Sequence, residues 1–299
     1  VAVGDYNNDG FLDLFVAAGA GGRGRGRHAL YRNRGDGTFE PDRRSPAMFR
    51  ALEDVAAWDA EFFDFDNDGF LDLLVVGETS APSARGVLLF HNDGAGRFHD
   101  MSSILPDDVL SGRKVVVADY GGDGGLDVFL VTTDGRVRLL RNDGADANHY
   151  VKLRLRGLRT GSGKNNHFGI GAKVELRAGD LYQMRVVTDP LTHFGLGQRL
   201  KADVVRIRWS NGVFQDLFYP GSDQDLLEEQ LLKGSCAFLY VWDGKRYRFV
   251  TDIMWRSALG MPLGIMTAGG AYAPPGASRE YVRIPPDLLQ AQDGTYSLQ

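Results

Sequence analysis

The stretch Asp64-Phe65-Asp66-Asn67-Asp68-Gly69-Phe70-Leu71-Asp72 decides how the rest of the chain is read. It places four carboxylates in one short loop, the first three at alternate positions. Two carboxylates about 4 Å apart repel by about 4 kcal/mol at an effective dielectric of about 20, so a loop this acidic calls for a cation. An all-oxygen donor set on a short loop suits Ca2+. Gly69 supplies the left-handed backbone that curls the loop around an ion, and the Phe70 carbonyl stands where an EF-hand loop gives its backbone ligand. The loop is not an EF-hand. Its twelfth position holds Val75 instead of Glu, and the aliphatic run after Gly69 reads as a strand, not a helix.

The same loop occurs three times. The first copy is Asp5-Tyr-Asn7-Asn-Asp9-Gly10-Phe11-Leu-Asp13 and the third is Asp119-Tyr-Gly121-Gly-Asp123-Gly124-Gly125-Leu-Asp127, with starts 59 and 55 residues apart. A second signature follows in the first two copies, Asn33-x-x-x-Gly37-x-Phe39 and Asn92-x-x-x-Gly96-x-Phe98, and each Phe lies 34 positions after its loop's first Asp. The third copy has only Asn142-Asp143-Gly144. A fixed register of this length predicts a repeat of about four short strands, the pattern of a β-propeller blade. The expected metal ligands are Asp5, Asn7, Asp9, Phe11 (carbonyl) and Asp13; Asp64, Asp66, Asp68, Phe70 (carbonyl) and Asp72; and Asp119, Asp123, Gly125 (carbonyl) and Asp127. Gly121 replaces a ligand in the third loop, which is expected to be weak or empty.

These units resemble the FG-GAP or VCBS-type repeats of integrin α-chain propellers and bacterial surface proteins. The resemblance implies Ca2+ between neighbouring strands and a role in adhesion or in recognition of an extracellular protein or glycan, without catalysis. Further on, His167-Phe-Gly-Ile-Gly171, His193-Phe-Gly-Leu-Gly197 and Val204-Val-Arg-Ile-Arg-Trp-Ser-Asn-Gly212 are similar to the ASPIC/UnbV domain, which follows such propellers in secreted proteins. The expected fold class is therefore all-β. Residues 1–146 form an incomplete propeller of three visible blades, and residues 147–221 an ASPIC/UnbV-like β domain. A linker helix is expected over 222–234, where Ser222 can cap and Leu226, Leu227 and Leu231 share a face. A β-rich module of unassigned role occupies 235–299. The chain opens inside a strand, which reads as a fragment of a longer protein.

Composition narrows the function classes. Residues 1–146 carry 25 acidic and 15 basic side chains, net −10; residues 147–299 carry 14 and 19, net +5. The acidity is concentrated in the loops. The basic residues Lys152, Arg154 and Arg156, and Arg206 and Arg208, alternate with apolar ones as on a strand with one solvated face, so no nucleic-acid partner is expected. No apolar run is long enough to span a bilayer. Cys236 is the single cysteine, which excludes a disulfide framework and a multi-cysteine zinc site. Ca2+ loops of low affinity suit an extracellular, periplasmic or cell-surface protein.

Competing chemistry is thin. His167 and His193 lack a partner at metal-binding spacing and fit tight turns. Gly161-Ser-Gly163-Lys164 lacks the first Gly and the Ser/Thr of a phosphate loop. Arg34-Gly35-Asp36 falls in a turn that requires Gly-Asp-Gly anyway, and the Gly/Arg-rich run at 19–27 reads as a blade loop. The rival function class is the accessory propeller of a larger secreted enzyme acting on polysaccharide or phosphoester substrates.

Overall fold

A computed structural model describes residues 1–19, 27–81, 83–159, 165–231, 238–252 and 284–298. The chain divides into two units, Val1–Gln230 and Leu231–Gln299. The Gly/Arg-rich run, the Gly161–Lys164 segment and Cys236 lie wholly or largely outside the described residues.

The first unit begins with three antiparallel sheets, one per sequence repeat. β1 (Ala2–Gly4), β2 (Asp13–Val16), β3 (Ala29–Asn33) and β4 (Phe39–Asp42) form the first in sequence order, and a short helix, α1 (Pro46–Ala51), follows it. β5 (Val55–Phe63), β6 (Asp72–Thr79), β7 (Val87–Asn92) and β8 (Phe98–Asp100) repeat the meander. The third sheet has only β9 (Lys114–Ala118), β10 (Asp127–Val131) and β11 (Val137–Leu140). Its fourth strand is missing where the Gly-x-Phe signature is missing, and the chain leaves instead through a 3-10 turn at Ala145–Ala147.

Burial explains why the middle repeat is the most apolar. Successive strand side chains point to opposite faces. Leu73 and Val75 pack with Phe15, Leu30 and Phe90 of one core cluster, while Leu74 and Val76 pack with Val115, Val128 and Leu130 of another. β6 is thus covered on both sides by its neighbours, which accounts for its unbroken hydrophobic run.

The remainder of the unit is a two-layer β domain. One sheet contains β12 (His149–Arg156) between β15 (Thr192–Gly197) and β18 (Gln224–Glu229). The other runs in the order β14 (Leu181–Val186), β13 (Lys173–Ala178), β16 (Val204–Arg208) and β17 (Phe214–Phe218). Val151, Leu153, Phe194 and Leu196 of the first meet Val174, Leu176, Val205 and Ile207 of the second in one buried cluster.

Two expectations are corrected. The segment from 222 is not a linker helix: Gln224–Glu229 is β18, parallel to β12 with Leu226 opposite Leu153. The pairing is sorted by charge, since Arg154 bonds Asp225 at 3.0 Å and Arg156 bonds Glu229 at 2.6 Å. A non-local ladder outweighs the weak local preference for helix. The basic face of β12 is also not uniformly solvated. Arg154 and Arg156 are exposed, whereas Lys152 is buried.

In the second unit, β19 (Phe238–Trp242) and β20 (Tyr247–Asp252) form the expected hairpin around Asp243-Gly244, with Gly244 at φ +93°. Among the described residues, no helix is long and apolar enough to cross a membrane.

Candidate metal centre

Each Asp-rich loop joins the first strand of a sheet to the second, so its first and last Asp sit at strand ends and are nearly inaccessible. Asp5 and Asp13 are fully buried, as is Asp72; Asp64 and Asp127 are 2% exposed. Their roles differ by position. The first Asp curls the turn: Asp5 Oδ2, Asp64 Oδ2 and Asp119 Oδ2 accept from the backbone N–H of Gly10, Gly69 and Gly124 at 2.9, 2.9 and 3.0 Å. Those glycines have φ of +89°, +98° and +90°, a conformation that a side chain rarely adopts. The fifth-position Asp9, Asp68 and Asp123 bond the N–H of Phe11, Phe70 and Gly125.

The ninth-position Asp pins the loop to the third strand. Asp13, Asp72 and Asp127 each accept, through Oδ1, the N–H of Asn33, Asn92 and Asn142 at 2.8 Å. Those asparagines return the contact, donating side-chain N–H to the carbonyls of Leu12, Leu71 and Leu126. Asn92 and Asn142 also reach the preceding repeat, bonding the carbonyls of Tyr6 at 2.7 Å and Phe65 at 2.6 Å. Asn8 and Asn67, at φ of +56° and +60°, link successive loops by donating to the carbonyls of Gly69 and Gly124. The sequence showed these asparagines as a signature. Their constant offset behind the ninth-position Asp in the first two repeats was the only hint of the clasp.

The second loop comes nearest to a preformed cage. Among the described residues, only there do three acidic or histidine ligand atoms fall within 4.8 Å of one another, in two overlapping groups: Asp64, Asp66 and Asp72, and Asp66, Asp68 and His91. About 4.8 Å also separates ligands on opposite sides of a Ca2+ with bonds of about 2.4 Å. Asp64 Oδ1 is buried with no hydrogen-bond partner, and in the first loop Asp13 Oδ2 is in the same position. Burial pushes Asp5 up to about 6, Asp13 to about 7 and Asp68 to about 7, and it raises Asp64 strongly, with neighbouring carboxylates adding to the effect. These are carboxylates in need of positive charge.

The third loop differs. Lys152 Nζ lies 2.7 Å from Asp119 Oδ2 and 3.3 Å from the Gly122 carbonyl. Burial alone would raise Asp119, but Lys152 and two backbone N–H groups hold it below the usual carboxylate range. Arg141 stands 3.5 Å from Asp123.

Lys152 belongs to a wider contact in which the two-layer domain rests on all three loops. Lys173 Nζ donates to the Gly10 carbonyl, Gly197 N–H to the Asn67 carbonyl and His193 Nε2 to the Gly124 carbonyl. His193 therefore bonds backbone, as its turn-like motif suggested, while exposed His167 stacks edgewise on Phe168. A cavity of about 290 Å3 lies along this contact, lined by Asp5, Glu61, Asp64, Arg185, Asp189 and His193 among others.

Repeated blade sheets, each with an acidic loop between its first two strands, followed by a β domain seated on those loops, define the class as a propeller-type repeat protein with an accessory domain. Residues 5–75 and 64–130 match the FG-GAP-like repeat family, and residues 161–230 match the ASPIC and UnbV family. The chain carries FG-GAP repeats followed by an ASPIC/UnbV domain. The second match extends to 230, in keeping with β18 as a strand of that domain.

Proposed function

We propose that loops one and two bind Ca2+ and that the chain serves as a non-catalytic recognition protein outside the cell or on its surface, taking a protein or glycan ligand. FG-GAP propellers joined to ASPIC/UnbV domains fit extracellular or surface proteins. The observation that carries the calcium reading is the unpartnered Asp64 Oδ1, buried among Asp66 and Asp72. A buried charge without a partner is costly, and an oxygen-liganded cation removes the cost. Asp64, Asp66, Asp68, Asp72 and the Phe70 carbonyl would hold the ion in loop two; Asp5, Asn7, Asp9, Asp13 and the Phe11 carbonyl would do so in loop one. In loop three, Asp119, Asp123, Asp127 and the Gly125 carbonyl form a poorer set, because Gly121 offers no ligand and Lys152 already balances Asp119. The absence of catalysis is supported by how the carboxylates are used: they accept backbone N–H groups that shape the loops.

Titration calorimetry tests this reading. Affinity is expected to fall from loop two to loop one to loop three, following ligand charge and number. Ca2+ should raise the melting temperature well beyond equimolar Mg2+, which demands tight octahedral geometry. Replacing both Asp66 and Asp68 with Ala should abolish the loop-two contribution. A double variant that keeps the full Ca2+ response would refute the assignment.

A further inference from the structure

The residue just before the signature Asn is Arg32 in the first repeat, His91 in the second and Arg141 in the third. Both arginines are paired, Arg32 with Glu40 and Arg141 with Asp123 and Asp143. A guanidinium stays protonated and cannot ligate a metal. An imidazole can, and His91 is placed to do so. Its Nδ1 is 3.1 Å from Asp72 Oδ1 and 3.7 Å from Asp66 Oδ2, and it forms a compact group with Asp66 and Asp68. The ring is held by Phe65, which meets it edge-on at 5.8 Å.

The acids beside it keep coordinating capacity. Asp66 takes one long backbone bond through Oδ1, at 3.4 Å, which leaves Oδ2 facing the imidazole. Asp68 uses Oδ1 on the Phe70 N–H. Asp72 Oδ1 holds His91 Nδ1 beside the loop while no metal is bound; a metal at Nδ1 replaces that bond, and Asp72 stays fixed by the N–H groups of Asn92 and Phe65. The buried, unpartnered Asp64 Oδ1 lies in the adjoining group, with Asp66 and Asp72, and Asp66 is common to both groups. Ca2+ takes oxygen ligands, whereas one imidazole with two carboxylates suits a borderline first-row dication. Tetrahedral zinc with bonds of about 2.1 Å sets its ligands about 3.4 Å apart, close to the Asp66–His91 separation.

We propose that His91 makes loop two a mixed nitrogen–oxygen site for a first-row transition dication, with His91 Nδ1, Asp66 and Asp68 as its protein ligands. Binding displaces the Nδ1 proton to solvent and competes with Ca2+, because the two ions share Asp66 and Asp68. Loops one and three, with arginine at this position, take no such ion. The inference rests on the loop-two cage proposed above and adds metal selectivity to it.

The test is calorimetry with Zn2+ and with Ca2+ at pH 7.5, on protein carrying Cys236→Ser so that the lone thiol does not contribute. The comparison is His91→Gln, which keeps a donor for Asp72. The proposal expects one Zn2+ that competes with Ca2+, and a Zn2+ affinity at least tenfold lower in the Gln variant while Ca2+ affinity changes less than threefold. A smaller loss for Zn2+, or an equal loss for both ions, overturns it. A measurement on the unsubstituted ring guards against a misfolded variant: nitrogen NMR should show His91 Nδ1 losing its proton with one equivalent of Zn2+. A ring that keeps both N–H protons with Zn2+ bound overturns the proposal. Failure of Ca2+ to bind while Zn2+ shows this dependence defeats only the calcium reading. Normal Ca2+ binding with no His91-dependent Zn2+ site defeats only the present one.

Discussion

Lys152 Nζ and Asp119 Oδ2 form a 2.7 Å ion pair between the ASPIC/UnbV domain and the third propeller loop, with side chains 7% and 1% exposed. In a setting this dry, removing one partner strands the other's charge. Lys152→Met should therefore lower the unfolding free energy by about 3 kcal/mol. Asp119→Asn should cost a similar amount, and the double variant less than the two together. A double-mutant cycle by denaturant titration measures the coupling. Additive costs would show that the pair is not the contact that matters.

The Asn clasp predicts a graded response. Asn92 is fully buried and satisfies two carbonyls, Tyr6 and Leu71, in different repeats. Each buried carbonyl left unpaired costs about 1–3 kcal/mol, so Asn92→Ala should destabilise by about 3 kcal/mol. Asn33 is half-buried and its amide reaches only the Leu12 carbonyl, so Asn33→Ala should cost about 1 kcal/mol. Equal melting-temperature losses would contradict the role assigned to the inter-repeat bond.

Gly195 lies against the second loop. A Cβ there would stand 2.1 Å from Asp64 Oδ2 and 2.5 Å from the Asn67 backbone. Gly195→Ala must push β15 off the loop at a cost of about 1–3 kcal/mol. Hydrogen exchange should become faster in both segments. A variant with unchanged exchange would mean that the contact is loose in solution.

The metal-free protein should be acid-favoured. Burial, chiefly, pushes Asp5 and Asp72 up to about 6 and Asp13 and Asp68 up to about 7, against 3.8 for a free carboxyl. Such groups hold more protons folded than unfolded, so stability falls as pH rises from about 4 through 7. His91, raised from 6.5 to about 9 mainly by its bond to Asp72, adds stability below pH 6.5 that is lost as pH climbs through 9. Both terms have the same sign. Buried His193, pushed down to about 4, opposes them below pH 6.5, so in chelator denaturant stability should decline from pH 6.5 to pH 9, and saturating Ca2+ should flatten the decline. A metal-free protein that gains stability across that window would contradict the burial of these charges.

The amino-acid sequence by itself determined the repeat, the strands that follow each loop, the glycines that turn them and the ASPIC/UnbV motifs. All are local: a positive φ, a run of β-branched residues or a carboxylate at alternate positions is written within about ten neighbours. What each side chain meets across the fold was decided only by tertiary structure. Residues 224–229 fit a helix by spacing, yet they lie beside Arg154 and Arg156, and that ladder makes them a strand. Lys152 looked like one more surface cation of an alternating strand until folding set it against Asp119, 33 residues away. Asn92 and Asn142 were visible as a signature, but their bonds to Tyr6 and Phe65 span 86 and 77 residues. His91 fell outside the acidic motif altogether, 19 residues from Asp72, and only the pairing of β6 with β7 carries it to the loop. Pattern along the chain specifies backbone conformation, because that is a near-neighbour property. Charge pairing and metal geometry depend on which strands become neighbours, and packing of the whole unit settles that.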